Sequence, residues 1–253
     1  MKICSYNTFL PVLALLFIIP APLHSITATE IIKISEEKIR GNSQTAIAEM
    51  TVKTRRWERT MRMRVYEVRK ERKSFTEILS PKKDEGNRFL LIKHTMWHYV
   101  PRLQQTIKIT PSMMLQSWMG SDFTNDDIVK ESSILEDYTH HLAGNEKVNG
   151  YSCYRIELKP KPGAAVVWGK IMYYARTDDC LPVKEEFYNE HGALKKVLTF
   201  SDYKKMHDRV IPTVMKMVTE GKEGQYTMFR IIQARFNETV PDYYFSLQYL
   251  KKR

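Results

Sequence analysis

The sequence predicts a mainly β domain with a few helices (α+β): one large, strongly curved antiparallel sheet with helices covering one side. Three observations carry this prediction. Alternating apolar and polar residues recur in about six segments before residue 110 and about six after residue 144. Turn residues separate these segments at short, regular spacing. Between the two blocks, residues 111–143 lose the period of two and read as two or three short helices. No tract rich in Gly, Ser or Pro divides the chain, so both blocks belong to one domain.

The chain opens with a candidate export signal. Lys2 is the only charge before Glu30, and Phe9 to Ile19 reads FLPVLALLFII, the length of a signal-peptide apolar core. That run is short for a membrane span, and Pro11 and Pro20 interrupt it. Residues 1–25 are expected to be a cleaved signal peptide, with processing after Ser25 or Ala28, and 26–253 the mature domain. An uncleaved anchor is the alternative. Cys4 precedes the apolar core, where it does not serve as a lipidation site. The formal net charge is +11, and loss of Lys2 with the leader makes it +10. Charge of this kind suggests nucleic acid, but an exported protein does not meet it, and no nucleic-acid partner is expected.

The elements follow in order. Residues 29–40, TEIIKISEEKIR, place Ile31, Ile32, Ile34 and Ile39 at near-helical spacing, with Thr29 to cap the helix and Gly41-Asn42 to stop it. Strands are expected at 45–54, 58–69, 72–79, 87–94, 95–100 and 104–109. In the second of these, Met61, Met63 and Val65 face one way and Arg62, Arg64 and Tyr66 the other. Such a strand belongs to a sheet wetted on one side. Thr110-Pro111 then starts a helix and Gly120 stops it. Met114, Leu115 and Trp118 share one face of that helix, and Met119 lies beside them. Ser121-Asp122 form a polar corner, Phe123 returns to the core, and Thr124 with Asp127 forms a capping box. The second block has strands at 151–159, 168–176, 182–189, 193–203, 207–219 and 224–236. Pro241-Asp242 precedes a last aromatic stretch, YYFSLQYL.

A curved sheet too large for its few short helices to fill leaves a cavity. Methionine suits an apolar surface that must adapt to varied ligands. The candidate cavity residues are Met61, Met63, Val65, Trp97, Tyr99, Met113, Met114, Trp118, Met119 and Phe123; ordinary core packing is the alternative for each. The basic run of Arg55, Arg56, Arg59, Arg62, Arg64, Arg69, Lys70, Arg72 and Lys73 suits a solvated outer face or attraction to anionic head groups. Catalysis finds little support. No nucleophile elbow, phosphate loop or H-E-x-x-H is present. His140 and His141 are adjacent and make poor co-ligands, and capping roles account for Asp122, Asp126 and Asp127 better than a cation does. No enzyme activity, cofactor or metal is expected. Cys153 and Cys180 remain beyond the leader. In an oxidising compartment they suit a disulfide closing a loop of about 28 residues, or two separate buried thiols.

Longer blocks add a resemblance. Trp97-x-Tyr99-x-Pro101 is followed by Gln116-Ser117-Trp118-Met119-Gly120-Ser121-Asp122-Phe123. Downstream come Gly150-Tyr151-x-Cys153-Tyr154, Phe200-Ser201-Asp202-Tyr203 and Ile211-Pro212-Thr213. Over nearly the whole mature chain this resembles the outer membrane lipoprotein-sorting protein family, the LolA-like periplasmic lipid and lipoprotein carriers. The resemblance implies a half-open β-barrel with a helical lid, an apolar cavity for acyl chains and a place in the periplasm. It also implies transient membrane contact and an inner-membrane transporter of the RND type as partner. The expected function is a carrier that takes lipid or lipidated protein from one membrane component to another. The alternative is a non-catalytic accessory subunit of an RND-type envelope complex, whose groove docks a partner's helix or strand. A covered sheet suits a monomer.

Overall fold

The computed structural model describes residues 26–130 and 134–252; the expected signal peptide lies outside them. Helix α1 (Ala28–Arg40) comes first. Thr27 caps it, not Thr29: the Thr27 hydroxyl accepts from the Glu30 amide at 3.2 Å, and the Glu30 carboxylate accepts from the Thr27 amide at 2.8 Å. Thr29 lies inside the helix and bonds the His140 ring at 3.0 Å. Gly41 ends the helix at φ 63°, where a Cβ would lie 2.6 Å from Asn237 Oδ1.

Thirteen antiparallel strands form one curved, open sheet. The first block supplies β1 (Ser43–Lys53), β2 (Glu58–Val68), β3 (Lys73–Ser80), β4 (Arg88–Ile92), β5 (Thr95–Val100) and β6 (Gln105–Lys108). The second supplies β7 (Tyr138–Val148), β8 (Tyr151–Pro160), β9 (Lys170–Arg176), β10 (Pro182–Tyr188), β11 (Leu194–Met206), β12 (Arg209–Thr219) and β13 (Tyr226–Phe236). The spatial order runs from β6 back to β1, crosses to β13, and runs back to β7. Each neighbouring pair is therefore a hairpin of consecutive strands, except β1 with β13. The two free edges, β6 and β7, are consecutive in the chain. The described parts of the segment between them, residues 109–130 and 134–137, form the cover of the sheet.

The inner face of β2 carries Met61 and Met63, both fully buried, with Val65 packed beside them. α1 lies on the inner face of the other half, where Ile31 and Ile32 pack against Ile156, Ile171 and Tyr173. The Ser35 hydroxyl and the Tyr173 phenol share a 2.6 Å hydrogen bond. Burial first, then nearby carboxylates, push that phenol far above its usual range, so it stays neutral.

Four sequence expectations need correction. The sheet has one strand more than expected, β7, because helices were expected to run to 143. Only Tyr138 and Val148 are buried along this edge strand. A register shift between Leu142 and Asn145 breaks its alternation as well. The helix expected at 111–120 is instead two 3₁₀ turns, Pro111–Met113 and Trp118–Gly120. Met119 stands at φ 53°, and the loop bonds across itself, Trp118 N–H to Phe123 O at 2.8 Å and Asp126 N–H to Met114 O at 2.9 Å. Leu115 is therefore 65% exposed and shares no face with Trp118. The short helices α2 (Asn125–Lys130) and α3 (Ile134–Asp137) complete the cover. Arg59 leaves the outer face: it pairs with Asp84 at 3.2 Å and donates to the Met119 carbonyl. Finally, the outer face is wetted only in part. The last aromatic stretch, with α4 (Leu247–Leu250), covers it, Tyr244 stacking on Tyr66 at 3.9 Å and Phe245 packing near Phe75, Leu90 and Tyr99.

Candidate functional site

Between the sheet, α1 and the cover lies a cavity of about 290 Å³, close to the lower bound for small-molecule sites. Its walls are mostly apolar. The sheet contributes Met63, Leu198, Met215 and Phe229, and α1 contributes Ile39. The cover contributes Trp118, Phe123 and Ile128. This apolar part of the lining favours an apolar guest.

Polar side chains fix the cover in place. The Asp122 carboxylate accepts from the hydroxyls of Thr219 and Thr227, each at 2.8 Å, so it joins the polar corner to β12 and β13. Asp127 accepts from Lys196 Nζ at 2.7 Å and from Trp168 Nε1 at 3.2 Å. The expected capping box of α2 forms as well: Asp127 accepts from the Thr124 amide at 2.8 Å, and the Asp127 amide donates to the Thr124 hydroxyl at 3.1 Å. Tyr138 lines the cavity and donates to the Trp168 carbonyl at 3.3 Å. Burial, then Asp137, Asp126 and Asp127, raise its pKa far enough to keep it a neutral donor.

A second polar cluster lies where α1 ends and β2 turns into β3. Glu67 accepts from Arg40 and from the Gln44 amide group. Arg69, Arg72 and Lys73 line the same end of the cavity. Arg72 pairs with Glu136 of α3. Arg69 Nη1 and Trp118 Nε1 are buried side-chain nitrogens of the lining with no hydrogen-bond partner among the described residues. No group of three metal-ligating side chains occurs among those residues.

Three solved structures share this architecture along nearly their whole lengths. A DUF1329 family protein from Desulfovibrio piger matches with a TM-score of 0.79 at 22% identity, over 87% of this chain and 95% of that one. A putative outer membrane lipoprotein-sorting protein domain from Vibrio parahaemolyticus matches with a TM-score of 0.76 at 26% identity, over 89% and 98%. A LolA superfamily protein from Nitrosomonas europaea matches with a TM-score of 0.74 at 21% identity, over 89% and 100%. Residues 70–252 match the family described as "Uncharacterized protein". The chain belongs to that family, and its fold is LolA-like. No curated protein matches the sequence.

Within this LolA-like bowl, the expected cavity residues part into three groups. Met63, Val65, Trp118 and Phe123 line the cavity. Met61, Met113, Met114 and Met119 belong to the same apolar cluster but are not in the lining. Trp97 and Tyr99 lie away from it, on the outer face with the C-terminal segment, because β5 alternates and its Met96 is the residue that points inward. Sequence reasoning missed the contributions of β11, β12 and β13 and the polar end. Leu198, Phe200, Met215 and Met217 alternate along their strands and were readable as an inner face. Which of two sheet faces is concave is not written in a period of two.

Of the two alternatives for the cysteines, the structure has the separate buried thiols. Cys153 and Cys180 are both free. Cys153 packs with Val148, Met172 and Val183, whereas Cys180 packs with the α1 cluster. The two thiols thus belong to separate apolar clusters. Burial raises the pKa of both thiols, so both are poor nucleophiles in the fold. Thiol labelling of unreduced, denatured protein is expected to find both cysteines; labelling of neither would restore the bridge.

Proposed function

We propose that the protein is a periplasmic carrier that shelters the acyl part of a lipid or lipidated protein and moves it between inner- and outer-membrane components. One observation supports this above all: an apolar cavity between a curved sheet and a strapped cover. The lipoprotein-sorting description of the Vibrio parahaemolyticus neighbour agrees with it. The process needs no bond to be made or broken. The ligand passes on when a conformer with a looser hold becomes populated. An inner-membrane transporter of the RND type is the proposed donor or acceptor, met during transient contact at the membrane. Export rests on the signal at 1–25. Processing after Ser25 leaves the Thr27 cap and the buried Ala28 in place, whereas processing after Ala28 removes both.

Mass spectrometry of organic extracts from protein purified without detergent is the direct test. An acyl lipid at near-stoichiometric amount is the expected result. Empty protein that also takes up no added amphiphile would sink the proposal.

A further inference from the structure

We propose that the cavity selects amphiphiles with an anionic head group, a phosphate or a carboxylate, and that Arg69 holds that group, flanked by Arg72 and Lys73. This rests on the carrier reading and names the class of cargo. Basic side chains crowd this end of the cavity, and most have an acid. Arg40 has Glu67, Arg72 has Glu136, and Lys73 has Glu71 and Asp242. Arg69 has none among the described residues, yet its Nη1 is buried and its side chain lines the cavity. Arg69 as a whole is half-buried, so its charge is only partly desolvated, but its unsatisfied buried donor calls for a missing partner. The guanidinium fork fits two oxygens of one phosphate or carboxylate, which neutral lipid heads do not offer.

The surroundings extend the argument. Arg72 and Lys73 also line an adjoining surface recess with Lys70, Glu71, Lys93 and His94, so a mainly basic approach leads from solvent to this end of the cavity. Arg69 follows β2, whose inner face carries Met63 and Val65 into the apolar part of the cavity. An anionic head at Arg69 would thus have its tail along β2, toward Trp118. A wholly apolar guest would leave Arg69 unpaired.

Dodecyl phosphate, dodecanoate and dodecanol share one tail and test the head alone. The measurement is equilibrium binding to the detergent-free protein, below the micellar concentration of each probe. The wild type is expected to bind one or both anionic probes about tenfold or more tightly than dodecanol, the size of effect a charge-assisted hydrogen bond gives. The preferred anion tells phosphate from carboxylate. Arg69→Gln should erase the preference without changing dodecanol binding, and Arg69→Lys should keep most of it. Arg235→Gln, on an exposed side chain, is the control. Ligand-free Arg69→Gln should melt no lower than wild type, because it removes an uncompensated charge. Equal binding of all three probes by the wild type, a preference that survives Arg69→Gln, or a sharply lower melting temperature overturns the head-group inference and leaves the carrier standing. Failure of all three probes to bind overturns both.

Discussion

Asp127→Ala is expected to lower stability by about 3–5 kcal/mol, because it leaves Lys196 buried without a counterion. The Lys196 side chain is only 9% exposed and that of Asp127 12%, so water compensates little. The same substitution removes the side-chain half of the α2 capping box, a further loss of roughly 1 kcal/mol. It also orphans Trp168 Nε1. For a chain of this size the sum corresponds to a fall in melting temperature of about 10 °C or more. The double variant Asp127→Asn with Lys196→Met separates the causes. A neutral pair of similar volume should recover much of the loss, since replacing a buried ion pair is far milder than breaking it. Thermal melts of the three proteins check this. If Asp127→Ala costs less than about 1 kcal/mol, the pair behaves as an exposed one and does not fasten the cover.

Trp118→Ala should also cost about 3–5 kcal/mol, the range for truncating a buried aromatic. Trp118 is 4% exposed and packs against Phe89, ring centroids 5.2 Å apart, in the cluster that holds Met61 and Met63. It is also cavity wall, so the truncation enlarges the space a ligand occupies. The expected result is therefore double: a lower melting temperature and faster loss of bound lipid. Trp118→Phe restores most of the packing but not the indole N–H. It should recover stability, and any remaining difference in lipid retention reports on Nε1. A large drop in stability with unchanged lipid occupancy and release would make Trp118 a permanent plug.

The strands were legible because burial on one face imposes a period of two, and β2 shows it plainly: Met61 and Met63 inside, Arg62 and Arg64 outside. Where burial is missing the period is missing too, and for that reason the first half of β7, residues 138–143, reads as helix in the sequence. Local pairs were legible at the capping box, since Thr124 and Asp127 stand three residues apart whatever the rest of the chain does. Contacts across the fold were not. Asp122 reads locally as a turn residue, but its carboxylate is held by Thr219 and Thr227, about 100 residues away along the chain. The soft residues of 113–119 suggested one helical face, yet the backbone satisfies its donors by bonds across the loop. Trp97 stood in the most family-like block and still faces outward. Arg69 was one basic residue among nine in its run. Only the positions of the surrounding acids distinguish it.

The order of the strands has a consequence for how the chain reaches this shape. Residues 43–108 and 138–236 are two meanders, each closed by hairpins between neighbours in sequence. Contacts of that kind form early, because the loops to be closed are short. One seam remains, the pairing of β1 with β13, in which Gln44 faces Phe236 and Lys53 faces Tyr226. It joins segments far apart along the sequence, so it is the slowest of the pairings to close. Until then the inner edge of the first meander is an unpaired strand, open to pairing with another chain. The seam is thus the step at which the two half-bowls become one vessel, and the need for chaperones during folding should concentrate there.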